Sequence, residues 1–420
     1  MNTNQLFRYR CLKEELPRSS KPRVVVITGA RQTGKTTLVR DCYADLEYIN
    51  LDAPENRYVL QQVSSAAWPE SVGNAVIDEA QKLPEIFEKV KYVFDEKKIT
   101  FTCLTGSSQI LLLKKIRESL AGRAFFYELW PLMQSEVNYS PNDQPKQKPI
   151  IHQILSDEPL ENIFADIPPV LLEKHDLRLR EAESHILQWG GMPALLPLTD
   201  TERWTWLKNY GYTYLERDLG DLAKLDDLSP FHTFQRLSAL RSSNLLNFSD
   251  LARDAGISVD TSKRYFEYLK LSYQTFFLQP YYRNITSQVI KTPKLFWLDI
   301  GILRQLTGNK TGISGEIYEN MVISEIYKLL KTFQFDAGLY FYRTRSGMEL
   351  DGILETSSGI VGIEIKAREK IYAKDLKVMK KIASNLGNSW KGGLVVYLGR
   401  EIQKLDQNIW CIPSRRLFQW

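Results

Sequence analysis

Residues 29–36 read Gly29-Ala30-Arg31-Gln32-Thr33-Gly34-Lys35-Thr36, followed by Thr37, the spacing of a phosphate-binding loop. Glycines let the backbone curl so that several N–H groups point inward at an anion. The helix that follows presents its positive N-terminus to the same anion. Lys35 would supply a mobile cation to the β- and γ-phosphates, and the Thr36 hydroxyl would ligate Mg²⁺. Forty residues on, the apolar stretch 74–77 ends in Asp78 and Glu79. Asp78 suits holding Mg²⁺ through water, and Glu79 suits orienting and deprotonating the attacking water. A glutamate directly after the aspartate favours hydrolysis over transfer to a small acceptor. The expected chemistry is Mg²⁺-dependent ATP binding and hydrolysis.

Two further features belong to the same site on this reading. Residues 104–108 read Leu-Thr-Gly-Ser-Ser at a strand end. The hydroxyls of Thr105 or Ser107 could sense the γ-phosphate, or the serines could simply cap a turn. Arg123 follows a Gly turn in Ser-Leu-Ala-Gly-Arg. It reads either as an arginine finger toward a neighbour's nucleotide or as a structural arginine.

A second constellation lies near the C-terminus. Asp351 opens an apolar stretch, Glu364-Ile365-Lys366 ends the next one, and Glu319 precedes both on an expected helix. Strand alternation puts Glu364 and Lys366 on one face, where Asp351 can meet them across a hairpin. Glu319, Asp351 and Glu364 would hold Mg²⁺, with Lys366 steadying a metal-bound hydroxide for phosphodiester attack. Glu and Lys also occur on edge strands for solubility alone. Beyond them, Lys374, Lys377 and Lys381 share one helix face, with Arg368 and Lys370 nearby. That face suits a nucleic-acid backbone, or is simply solvated.

These residues need elements to position them. Apolar runs at 24–28, 48–51, 74–77 and 100–104 alternate with helical segments, which implies a parallel sheet covered on both faces. Residues 139–149 are proline-rich and polar, a linker, and 150–180 read as a helical insert. Residues 245–273 outline a helix-turn-helix through Gly256, capped by Ser258 or Asp260. Two short strands, at 276–281 and 294–298, follow as a wing would. Ser262, Lys263 and Arg264 start its second helix, where nucleic-acid contacts usually originate, although apolar neighbours allow protein packing instead. From about 315 the pattern is helix, three strands, helix, strand. His152, His175, His185 and His232 lack metal-ligand spacing.

The bulk numbers agree. The chain has 420 residues, too many for one ordinary core, and a net charge of +5 that permits a polyanionic partner without demanding one. Its four cysteines are scattered, which suits a reducing cytoplasm, and neither a signal peptide nor a membrane-spanning run is visible.

The motifs GARQTGKTTL, YINLDAPE, AVIDEAQKLP, LTGSSQILL, ESLAGRAFFYELWPL, WGGMP, YLERDL, KTPKLFWLDIGI and GEIYENMVISEI, in this order, resemble one group. It is the prokaryotic AAA-type ATP-binding proteins, archaeal-ATPase-like, that carry a conserved C-terminal domain of unknown function. The resemblance implies an α/β chain: an AAA-type P-loop core (1–137), an insert and helical lid (138–225), a winged helix (226–300) and a PD-(D/E)XK-like C-terminal domain (301–420). It places Lys35 and Thr36 in the Walker A motif, Asp78 and Glu79 in the Walker B motif, and Arg123 at the SLAGR arginine. Arg217 could contact nucleotide from the lid. Three readings follow: an ATPase working on DNA or other nucleic acid, a nucleotide-gated switch binding a protein partner through the winged helix with an inactive nuclease-like tail, and a protein-remodelling ATPase. An arginine finger would require a homo-oligomer.

Overall fold

A strand that is apolar at every position, as Val24–Ile27 is, must be covered on both faces. In the computed structural model that strand is β1 (Arg23–Thr28), within an all-parallel five-stranded sheet. The order is β2 (Glu47–Asn50), β3 (Ala75–Asp78), β4 (Phe101–Thr105), β1 and β5 (Ala124–Glu128). Val24 and Val26 enter one core with Ile77 and Leu104, while Val25 and Ile27 enter the opposite core with Val76 and Cys103. Parallel register aligns the C-terminal strand ends along one edge. Gly29, Asp78 and Thr105 therefore emerge side by side, with β4 between the other two strands. The structure describes residues 7–106, 120, 122–139, 148–211, 227–281 and 291–419. The calls on Ser107, Ser108 and Arg217 fall outside the described residues.

The polar linker is followed by helices Ile150–Leu155, Leu160–Ala165 and Glu173–Trp189. Three helices then pack together: Ser229–Ala239, Phe248–Ala255 and Val259–Leu271. Gly256 ends the second in the left-handed conformation, and the third is capped by Ser258, whose Oγ accepts the Thr261 N–H at 3.1 Å. Asp260 plays no capping part there.

The strands expected as a wing, β6 (Thr275–Pro280) and β7 (Lys294–Trp297), pair antiparallel. They do not stop at a wing, because Gln279 and Pro280 also pair with Tyr340 and Phe341 of β8 (Gly338–Arg343). The result is one eight-stranded sheet. Its order is β12 (Gln403–Asp406), β13 (Ile409–Pro413), β11 (Trp390–Tyr397), β10 (Gly359–Lys366), β9 (Glu349–Thr356), β8, β6, β7. It crosses the point at 300/301 where sequence reading divided the chain.

One apolar core also runs through the segments. Tyr9 and Trp130 from the N-terminal part share it with Ile186, Trp297, Met321 and Phe418. Close backbone approach makes this possible at Gly301, where a Cβ would stand 2.0 Å from the Trp189 carbonyl oxygen. Asp299 caps the helix Ile300–Thr307 and accepts the Gly191 N–H at 2.7 Å, so the WGGMP and LDIGI motifs are two halves of one joint. Among the described residues no helix is long and apolar enough to cross a membrane.

Candidate functional site

The loop after β1 has the shape its glycines require. Gly29 has φ 150°, and a Cβ there would lie 2.1 Å from the Leu129 carbonyl oxygen. Gly34, at φ 95°, opens the helix Lys35–Cys42. Lys35 Nζ donates to the carbonyls of Gly29 at 2.9 Å and Ala30 at 2.7 Å, so its charge sits inside the loop it is expected to serve. Thr33 Oγ1 donates to the Ala30 carbonyl at 2.9 Å, and the Tyr210 hydroxyl reaches the Arg31 carbonyl at 3.2 Å. Gln32 holds φ 60°, unusual for a residue with a side chain. Thr36 and Thr37 begin the helix with exposed side chains.

Sequence reading did not find what clamps this loop from behind. Arg10 is buried, and donates to the carbonyls of Thr33 at 2.6 Å and Trp130 at 2.5 Å. It pairs with the buried Glu136 at 3.1 Å. No local pattern in the sequence marks an arginine whose partners lie 23 and 126 positions away.

Asp78 is the hub of the site. Thr36 Oγ1 and the Tyr48 hydroxyl each donate to its Oδ2 at 2.6 Å, Thr105 Oγ1 donates to Oδ1, and the Glu79 N–H reaches Oδ1 at 3.0 Å. Burial alone would raise the pKa of Asp78. The donors from Thr105, Thr36 and Tyr48 outweigh it and hold the carboxyl below its ordinary value. Thr105 thus lies against Asp78, and Tyr48 is an addition that the strand pattern concealed. Glu79 has φ 55° and ψ 40°, a left-handed conformation rare for a glutamate, and its Oε2 accepts from Gln81 Nε2 at 2.5 Å. Strain of this kind gathers where geometry is functional.

Removing two donors should expose the balance at Asp78. In Tyr48→Phe/Thr105→Ala burial prevails, so the carboxyl pKa rises and protonation sets in at higher pH. The acid limb of kcat/KM for ATP should therefore shift upward relative to wild type. Superimposed acid limbs in two folded proteins would refute the role given to these hydroxyls.

Arg123 lies elsewhere. It immediately precedes Ala124, which pairs with Val24 at the start of β1, whereas the loop follows the end of β1. Five residues of strand separate the two, roughly 16 Å. Its guanidinium binds Asp95 at 2.6 Å. Arg123 therefore has no part in its own chain's phosphate site.

At the C-terminal sheet, the structure does bring Asp351, Glu364 and Lys366 together. Lys366 Nζ stands 2.5 Å from Glu364 Oε1 and 4.0 Å from Asp351 Oδ2, and Asp351 Oδ2 also accepts the Ile365 N–H at 2.8 Å. Glu319, on the helix Gly315–Thr332, binds Lys294 Nζ at 2.8 Å. Burial, then the nearby Asp351 charge, pushes both Glu319 and Glu364 up to about 8. Lys294 was not anticipated, because it stands in β7, outside the segment read as nuclease-like. Among the described residues no three His, Cys, Asp or Glu side chains are arranged to hold a metal ion. Glu319 is instead engaged by Lys294, and Glu364 by Lys366.

Of the residues expected to start nucleic-acid contacts, Lys263 and Arg264 are exposed, but Ser262 is fully buried. Lys377 and Lys381 are exposed on the helix Lys377–Leu386, opposite its buried Met379 and Ile382, and Lys374 is exposed in the separate turn Ala373–Leu376 before it. His152 lies between the rings of Phe333 and Phe335, and burial lowers it to about 4, as a packing residue.

A contact ties the phosphate loop to the three-helix segment. The Tyr273 hydroxyl, just past the helix Val259–Leu271, meets Thr28 Oγ1 at 2.7 Å and Glu128 Oε1 at 3.1 Å. Thr28 directly precedes Gly29. The three residues border a cleft of about 650 Å³ between the two sheets.

Comparison with known proteins divides the chain in three. Residues 21–138 match the family model described as an AAA domain. Residues 180–312 and 314–417 each match a domain of unknown function, DUF8612 and DUF4143. Uncharacterized proteins of Mycobacterium tuberculosis and Mycobacterium bovis are each 27% identical over 359 residues, covering 82% of this chain and 70% of theirs. Among solved structures, a Walker-type ATPase of Pyrococcus abyssi is 18% identical, covers 70% of this chain and 94% of its own, and has a TM-score of 0.41. A signal-transduction ATPase with numerous domains and a tetratricopeptide repeat sensor, from Pyrococcus horikoshii, is 10% identical. It covers 76% of this chain and 46% of its own, with a TM-score of 0.26. The N-terminal part of this chain is a parallel-sheet α/β domain with a phosphate-loop sequence, and it is similar to AAA domains.

Proposed function

We propose that this chain binds ATP with Mg²⁺, hydrolyses it, and couples turnover to DNA or another nucleic acid. The observation that carries the first part is the 2.6 Å contact of Thr36 Oγ1 with Asp78 Oδ2, beside Lys35 and Glu79. The donors suit Mg²⁺, which takes few protein ligands when phosphate oxygens and waters complete its shell. Thr36 and Asp78 would hold the ion, which when bound neutralises charge on the β- and γ-phosphates. Lys35 would leave its loop carbonyls for the same phosphates. Glu79 would accept the proton of the water that attacks the γ-phosphorus, as the bond to the β-phosphate oxygen breaks and ADP leaves. Arg123 would act only on a neighbouring copy's nucleotide, after release from Asp95.

Coupling to nucleic acid rests on the exposed Lys374, Lys377 and Lys381 and on Lys263 and Arg264. Steady-state phosphate release should rise several-fold with DNA, and the gain should fade as salt increases. Stimulation by unfolded protein instead of nucleic acid would point to protein remodelling. A second reading, the nucleotide-gated switch, is favoured by the Thr28–Tyr273 hydrogen bond, which joins the phosphate loop to the three-helix segment. That reading holds if wild-type turnover is no faster than that of Glu79→Gln while ATP still alters partner binding.

A further inference from the structure

The acidic cluster on the second sheet already contains its own cation. Lys294 is 2% exposed. Its ammonium donates to Glu319 at 2.8 Å and pairs with Glu349, and it lies 5.5 Å from the centre of the Phe341 ring. The other oxygen of Glu349 faces Arg343 at 3.1 Å. On the far side Lys366 takes Glu364, and Asp351 is tied to the Ile365 N–H. Lys294 is held in place by its own strand, whose backbone pairs with Leu278 on one side and bridges to Leu245 on the other.

Glu319 and Glu364 are each already engaged by a cation of this chain, Lys294 and Lys366. Glu364 Oε2 is buried without a hydrogen-bond partner. A divalent ion at Glu319 would have to sit against the buried ammonium of Lys294 or displace it toward Glu349, which burial makes costly. The residues therefore do not suit a divalent ion shared by Glu319, Asp351 and Glu364.

We propose that Lys294 is an intramolecular cation lodged in this cluster, closing Glu319 and Glu349 to divalent metal, so that the site binds metal only when Lys294 is removed. This stands apart from the ATPase reading, since it involves no nucleotide. The test is Mn²⁺ titration of the nucleotide-free full chain, following the free-ion electron paramagnetic resonance signal. Wild type and Asp351→Asn should take up Mn²⁺ identically. Lys294→Met should gain about one ion per chain, bound at least tenfold more tightly than any site in wild type, and should lose it again in Lys294→Met/Asp351→Asn. Lys294→Gln removes the charge but keeps an N–H donor, and serves as the same arm if Lys294→Met does not fold. Uptake by wild type that Asp351→Asn weakens would overturn the proposal. So would a folded Lys294→Met or Lys294→Gln that gains no ion.

Discussion

Glu79→Gln is expected to bind ATP with nearly wild-type affinity and to turn it over about 10²–10⁴-fold more slowly. The amide keeps the length of the side chain and can still interact with Gln81, so the strained backbone at φ 55° has no reason to relax. What it loses is the ability to take a proton from water. Removal of that step alone should lower kcat with little effect on binding. Lys35→Ala should behave differently, because Lys35 would serve bound phosphates as well as the transition state. ATP affinity should then fall along with turnover. Single-turnover phosphate release at saturating ATP, paired with equilibrium nucleotide binding, separates the two outcomes. A Glu79→Gln rate within threefold of wild type would remove Glu79 from the chemistry.

Residues 24–36 and 74–79 could be read from sequence because their signals are local. A phosphate loop needs glycines at fixed offsets, and a strand buried on both faces must be apolar throughout. The ends of β1, β3 and β4 then followed within a residue or so. What stayed hidden acts over distance. Arg10 grips the loop through Thr33 and Trp130, and Tyr48 reaches Asp78 from a neighbouring strand. Neither is announced by its neighbours in sequence. Arg123 shows the converse: its motif is local, but parallel register carries it to the other end of the sheet from Gly29, which leaves the structural and neighbour-facing readings. In the C-terminal half, alternation correctly placed Glu364 and Lys366 beside Asp351. It could not show that β6 and β7 extend the same sheet, and so could not bring in Lys294. The last strands, β12 and β13, extend the other edge of the same sheet beyond the final strand expected from sequence. WGGMP and LDIGI, legible as motifs, prove to be architecture, since Gly301 and Asp299 lock the two together.

The largest expected effect on stability comes from the C-terminal helix. Arg415 is 2% exposed, in the short helix Ser414–Phe418. Its Nε donates to Asp176 at 2.7 Å, and its NH1 lies 3.7 Å from Glu183, both on the helix Glu173–Trp189. Arg415→Met keeps the bulk and removes the charge, leaving two buried carboxylates short of a partner. Asp176 retains Arg180 at 2.5 Å, whereas Glu183 keeps the hydroxyl of Ser414 and the backbone N–H of position 415 but no cation. Breaking one side of a buried pair costs about 3–5 kcal/mol, much more than the pair itself contributes. The penalty should therefore sit chiefly on Glu183, and Arg415→Met/Glu183→Gln should recover a large part of it. Burial already holds the Glu183 carboxyl above its ordinary value, against the pull of Ser414 and Arg415. Without Arg415 it rises further. A carboxyl raised in the folded state destabilises most when ionised, so the deficit of Arg415→Met should be large at pH 8 and shrink toward pH 5. Urea unfolding of the single and double variants at both pH values measures this. Equal deficits at the two pH values would mean that lost packing, not an abandoned charge, is what Arg415 prevents.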